Sequence, residues 1–155
     1  MKDAEIASRR AARLGAVQAL YQMEVSGAST EDVIADFAAG KLPRETEATY
    51  TDCEGDLDLF KVLVEKAVER QRTLDRAIAR HLSKGWRLER IDSVARAILR
   101  AGAAELEQQR ETPTAVVIDE YVEIAKSFFD GPEPGFINAA LDAAARDLRS
   151  GEQGA

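Results

Sequence analysis

The chain has 155 residues, 28 acidic against 21 basic, for a formal net charge of −7 with 45% hydrophobic residues. That length and composition suit one compact globular domain, exclude bulk disorder, and on total charge argue against a nucleic-acid partner. One cysteine, Cys53, and one histidine, His81, exclude an intramolecular disulfide and a Cys/His zinc site.

Alanine occurs 27 times and β-branched runs are short, which predicts an all-α fold. The first helix is expected over about 3–25, with Ile6, Leu14, Val17, Tyr21 and Val25 on one side and Gly27 as its stop. Ser29 or Thr30 then caps a short helix carrying Val33, Ile34 and Phe37, ended by Gly40 and Pro43. Residues 41–55 read as a long acidic loop. Asp56 caps the clearest periodic stretch, in which Leu57, Phe60, Val64, Ala67, Leu74, Ile78 and Leu82 predict one helix with a polar interruption at Gln71.

Lys84 and Gly85 break that pattern, and Asp92 or Ser93 caps the next helix, whose Ala-rich stripe runs to about Gln109. Thr112 and Pro113 restart the chain for a helix with Val117, Ile118, Tyr121, Ile124 and Phe128. After the break Gly131-Pro132-Glu133-Pro134-Gly135, a final helix carries Phe136, Ile137, Ala140, Leu141, Ala144 and Leu148. The expectation is six or seven helices in a single unit, 1–155, with an N-terminal half of about 1–83 and a C-terminal half of about 84–150.

Charge is unevenly spread. Residues 1–30 carry +1, 31–60 carry −7, 61–100 carry +6 and 101–155 carry −7. Arg9, Arg10 and Arg13 cluster in the first helix. Guanidinium groups fork to phosphate and stack on bases, so this cluster suits single-stranded RNA, although a solvated helix face has the same composition. Lys61, Lys66, Arg70, Arg76 and Arg80 alternate with Glu65, Glu69 and Asp75 and read as i,i+4 pairs.

No phosphate loop, dinucleotide fingerprint or metalloprotease motif is present, and Cys53 and His81 have no catalytic company. A non-enzymatic protein without a cofactor is expected. No secretory signal and no apolar run of membrane-spanning length occur, so a cytoplasmic setting is the expectation.

Arg9-Arg10-Ala11-Ala12-Arg13 followed by Ala16-Val17-Gln18-Ala19-Leu20-Tyr21 resembles the opening helix of the NusB family of transcription antitermination factors. Three further blocks agree in order: Asp92 to Arg100 with Glu105-Leu106; Val117-Ile118-Asp119-Glu120 through Glu123-Ile124-Ala125-Lys126-Ser127-Phe128; and Phe136-Ile137-Asn138 with Leu141-Asp142. The resemblance implies two small packed helical bundles. It also implies binding to boxA RNA of ribosomal RNA leaders together with NusE, a small-subunit ribosomal protein, in a complex with other Nus factors and RNA polymerase.

Carried over by residue, it implies RNA contacts at Arg9, Arg10, Arg13, Gln18, Lys126 and Phe136, and partner contacts at Tyr21 and Glu89. Ala95 stands where an acidic residue often faces NusE. A protein-only interaction module, or a homodimer that masks its RNA face, is the alternative. Related helical domains precede catalytic domains in some RNA methyltransferases, but no such catalytic region follows in this sequence.

Overall fold

The structure, a computed structural model, describes residues 3–41, 55–80, 82 and 87–150. Cys53, His81, Lys84 and most of the acidic loop lie outside the described residues. The rest folds into seven α-helices: α1 (Asp3–Ser26), α2 (Thr30–Ala38), α3 (Leu57–Glu69), α4 (Gln71–Arg80), α5 (Ser93–Gln108), α6 (Thr114–Phe128) and α7 (Glu133–Leu148). A 3-10 turn, Leu88–Arg90, precedes α5.

The caps sit where short polar side chains allow. Ser29 accepts from the Asp32 amide, Asp56 from that of Leu59, and Asp92 from those of Val94 and Ala95, each satisfying donors a helix start leaves open. Two expectations need correction. The stretch expected as one helix from Asp56 to Leu82 is two, α3 and α4, joined at Arg70 (φ −103°, ψ 17°). The Pro-rich break is also shorter than expected, because α7 begins at Glu133 with Pro134 in its first turn, where a missing amide costs nothing.

Helix α5 is the hub and packs on α1, α3, α4, α6 and α7. Its small residues Ala97, Ala101, Ala103 and Ala104 are fully or nearly fully buried and let neighbouring helices approach closely. At Gly102 a methyl group would stand 2.9 Å from Leu141 Cδ1, so only hydrogen fits there without movement. The larger core joins α4, α5, α6 and α7 with Leu14 and Val17 of α1. A smaller core joins Ala12, Ala16 and Ala19 of α1 to Val33 of α2 and to Leu59, Phe60, Leu63 and Val64 of α3. Thus α1 serves both cores from different faces. The packing division falls near residue 70, because Leu74, Ala77 and Ile78 of α4 join the larger core.

Phe37 fills the smaller core by stacking on Phe60, with ring centroids 4.0 Å apart. Full burial of a large apolar side chain such as Phe60 contributes about 1.5–3 kcal/mol, and the partly buried Phe37 less. Backbone without side chains makes the room: a Cβ on Gly15 would lie 2.6 Å from the Phe37 ring, and one on Gly55 2.3 Å.

Charged side chains tie the helices together. Arg70 at the α3–α4 joint grips Glu107 of α5 with Nε–Oε1 3.0 Å and Nη2–Oε2 2.8 Å. Hydrogen bonds from Arg70 hold the Glu107 carboxyl below its ordinary range. A carboxyl with a depressed folded pKa stabilises the fold above its unfolded pKa, and that contribution disappears as pH falls through the folded value. Glu107→Gln should therefore lower the urea midpoint at neutral pH and converge on the wild type in acid; parallel curves across the whole range would reject the linkage.

Candidate RNA and partner interface

Successive residues on a helix point about 100° apart, so Arg10 turns away from Arg9 and Arg13, which lie four residues apart on one stripe but at different depths. Arg9 lies over a shallow depression formed with Ala4, Glu5, Ser8 and Asp56, and its buried Nε has no hydrogen-bond partner. Arg10 faces α6 and forms a bidentate pair with Glu120, Nε–Oε1 3.0 Å and Nη2–Oε2 3.2 Å, with its own side chain 47% exposed.

Arg13 points inward, which corrects the expectation that all three arginines offer themselves to RNA. Its side chain is 5% exposed and locked on Glu105 of α5, at 2.8 Å from Nε and 2.7 Å from Nη2. The Tyr121 hydroxyl donates to the same carboxylate at 2.8 Å. Burial and the neighbouring carboxylates push the Tyr121 phenol well above its usual range, so it remains a donor. Although burial opposes its charge, the hydrogen bond and the charge of Glu105 keep the Arg13 guanidinium protonated. Glu120 lies 3.6 Å from Arg13 Nη1, and so connects the buried arginine to the exposed one.

Along the α1–α6 seam, Arg10, Leu14, Glu120, Glu123, Ile124, Lys126 and Ser127 line a polar groove of about 360 Å³. Lys126 is exposed and pairs with Glu123 at 3.1 Å. Both exposed cations of the groove therefore have acidic neighbours on α6. Further along the same seam the character changes. Val17, Gln18, Tyr21, Gln22, Val25, Ser26, Val94 and Phe128 enclose a mainly apolar cleft of about 250 Å³. Tyr21 and Val25 are exposed, at 38% and 64%, and the buried Nε2 of Gln18 has no hydrogen-bond partner.

Phe136 sits in the first turn of α7, partly buried against the larger core. Glu89 is exposed on the 3-10 turn. Arg96 links that turn to α1: Nη1 donates to the carbonyls of Leu88 and Ile91 at 3.0 and 2.7 Å, while Nη2 pairs with Glu24, one helical turn beyond Tyr21. Tyr21 and Glu89 therefore belong to elements held together from below. Ala95 is 1% exposed, so its position belongs to the core and presents nothing to a partner. The acids Glu120 and Glu123, and the apolar pair Val94 and Phe128, are the groove residues that sequence reasoning left without a role. The helical period that puts Glu120, Glu123 and Phe128 along one side of α6 was the available signal.

Among the described residues no group of His, Cys, Asp and Glu is placed to hold a metal ion, and no helix is long and apolar enough to cross a membrane. A two-core helical fold with a charged groove running into an apolar cleft defines a macromolecule-binding module. Residues 10–146 match the NusB family. Transcription antitermination protein NusB of Caulobacter vibrioides is 53% identical over 96% of this chain and 99% of its own length, and that of Maricaulis maris is 49% identical over 93% and 89%. Among solved structures, Thermotoga maritima NusB superposes with a TM-score of 0.72 at 28% identity, covering 90% of this chain and 91% of its own. NusB in a complex of the antitermination factors NusB and NusE with double-stranded RNA gives 0.70 at 25% identity, covering 89% and 96%. The chain belongs to the NusB family.

Proposed function

We propose that this chain is a non-enzymatic transcription antitermination factor of the cytoplasm that binds boxA RNA of ribosomal RNA leaders together with NusE. In that role it joins other Nus factors on RNA polymerase. The observation that carries this reading is the end-to-end match to antitermination proteins, 53% identical over 99% of the relative's length. The polar part of the α1–α6 groove suits RNA. Arg10 and Lys126 supply phosphate contacts there; Gln18, at the apolar end of the seam, and Arg9 and Phe136, which lie off the groove, are the further RNA contacts of this reading, Phe136 by stacking. Arg13 acts from within by fixing α1 on α5. The apolar cleft with Tyr21, and Glu89 on the adjoining turn, suit NusE.

The test is a gel-shift titration with boxA RNA, with and without NusE. Absence of binding in both conditions at low salt would overturn the reading, and a stable homodimer indifferent to RNA would favour a protein-only module. Arg10→Gln and Lys126→Gln should each weaken binding and lower the slope of log K against log salt by about 0.7. Glu123→Gln should do the opposite, tightening binding about two- to fivefold by freeing Lys126 from an exposed pair. Affinity unchanged by all three substitutions would remove the groove from the RNA site.

A further inference from the structure

A second basic surface lies away from the α1–α6 groove. Arg72, Arg76 and Arg80 stand at four-residue intervals on α4, and all three are exposed. Four residues advance a helix by about 6 Å, so the three guanidinium groups form a row along one stripe. The row continues onto the 3-10 turn, which packs against α4. Arg87, with extended backbone (φ −115°, ψ 135°), leads into the turn and Arg90 ends it; both are exposed, as is Glu89.

Apart from Glu89, which is exposed on the turn, the acids near this row are engaged by other cations or by Arg80 alone. Asp75 turns to Arg100 of α5, at 2.9 Å to both Nε and Nη2. Glu69 pairs with Lys66, and Glu107 is taken by Arg70. Asp147 of α7 holds Arg80 at 3.1 Å. Arg72, Arg76, Arg87 and Arg90 have no ion pair among the described residues. Four arginines without ion pairs on α4 and the turn packed against it, in a chain of net charge −7, are a local field that the total conceals.

Helix α4 packs on α3, α5 and α7, so the row faces away from the seam between α1 and α6. Among the described residues no exposed large apolar side chain on α4 or the 3-10 turn accompanies the arginines, so α4 itself offers neither an anchor for a protein hot spot nor a ring for a base to stack on. A row of guanidinium groups without aromatic company fits a phosphate backbone, which offers regularly spaced anions.

We propose that the arginine row of α4 and the 3-10 turn binds the sugar-phosphate backbone of single-stranded RNA, without reading its bases. It holds RNA flanking the segment bound in the α1–α6 groove.

The test compares boxA RNA alone with the same RNA extended by a uridine tract of about 12 nucleotides, using the full chain. The double variant Arg72→Gln/Arg76→Gln should bind the short RNA as the wild type does. On the extended RNA its salt slope should fall by about 1.4, and its affinity by about tenfold at roughly 0.15 M salt. Arg76→Glu alone should weaken the extended complex in the same direction, with an unchanged thermal melt for both variants. Wild-type affinity and slope on the extended RNA would overturn the proposal. So would loss of polyglutamate binding with RNA binding intact, which would assign the row to an acidic protein. Arg10→Gln separates the two surfaces: if it alters neither RNA complex, the groove reading fails while the arginine row is judged on its own slope.

Discussion

Glu105→Ala should destabilise the protein by about 3–5 kcal/mol, because it leaves Arg13 as a buried charge without its partner. Glu105 is fully buried, accepts both arms of Arg13 and also takes the Tyr121 hydroxyl, so one truncation strands groups on α1 and α6. For a chain of this size the loss corresponds to roughly 6–20 °C in melting temperature. Removing both charges should be milder than removing one. Arg13→Met combined with Glu105→Leu and Tyr121→Phe is expected to recover most of the loss, since a well-packed apolar replacement needs no paired charge. Thermal and urea melts of the wild type and the two variants check this. A Glu105→Ala variant within about 1 kcal/mol of the wild type would show that the network contributes no more than an ordinary hydrogen bond.

Arg149→Ala is the second large effect, expected at about 2–4 kcal/mol. The side chain is 2% exposed and closes the far end of the hub. Its Nε donates to the Leu106 carbonyl at 2.6 Å, Nη2 to that of Gln109 at 2.8 Å, and Nη1 to the Thr112 carbonyl at 2.8 Å and to Thr114 Oγ1 at 3.0 Å. The last carbonyls of α5 have no helical partner, and α5 carries no basic residue in its own last turn. Arg149 supplies both the donors and the positive charge that the negative end of the helix favours. Lysine carries the charge without the planar fork, so Arg149→Lys should recover less than half of the loss. Hydrogen exchange should accelerate in the last turn of α5 and the first turn of α6; protection unchanged there would contradict the clamp.

These two networks mark where sequence reasoning stopped. Helix positions and caps follow from rules spanning three or four residues, so Ser29, Asp56 and Asp92 were readable as starts. The roles of the arginines were not. Arg13 and Glu105 are 92 positions apart, and nothing local to Arg13 distinguishes it from Arg10. The signal lay at the other end: Glu105 interrupts the apolar run Ala103, Ala104 and Leu106, and a carboxylate in such a run needs a buried cation. The α3–α4 joint at Arg70 left only the polar Gln71 as a mark in the pattern, because the apolar spacing resumes at Leu74. Ala95, standing where the family resemblance implies an acidic residue, packs its methyl group into the core, a depth that its sequence neighbours do not reveal. The groove itself needs α1 and α6 side by side, a placement that no single helix pattern encodes.

The Phe37 ring has an evolutionary consequence. Gly15 and Gly55 approach it from two sides, and either position carrying a side chain would collide with it. Three sites distant in sequence are thus coupled through one aromatic ring. Among relatives, alanine or larger at 15 or 55 should appear together with a smaller residue at 37. Drift at these three positions should therefore be concerted, with glycine kept at both 15 and 55 wherever the ring is kept.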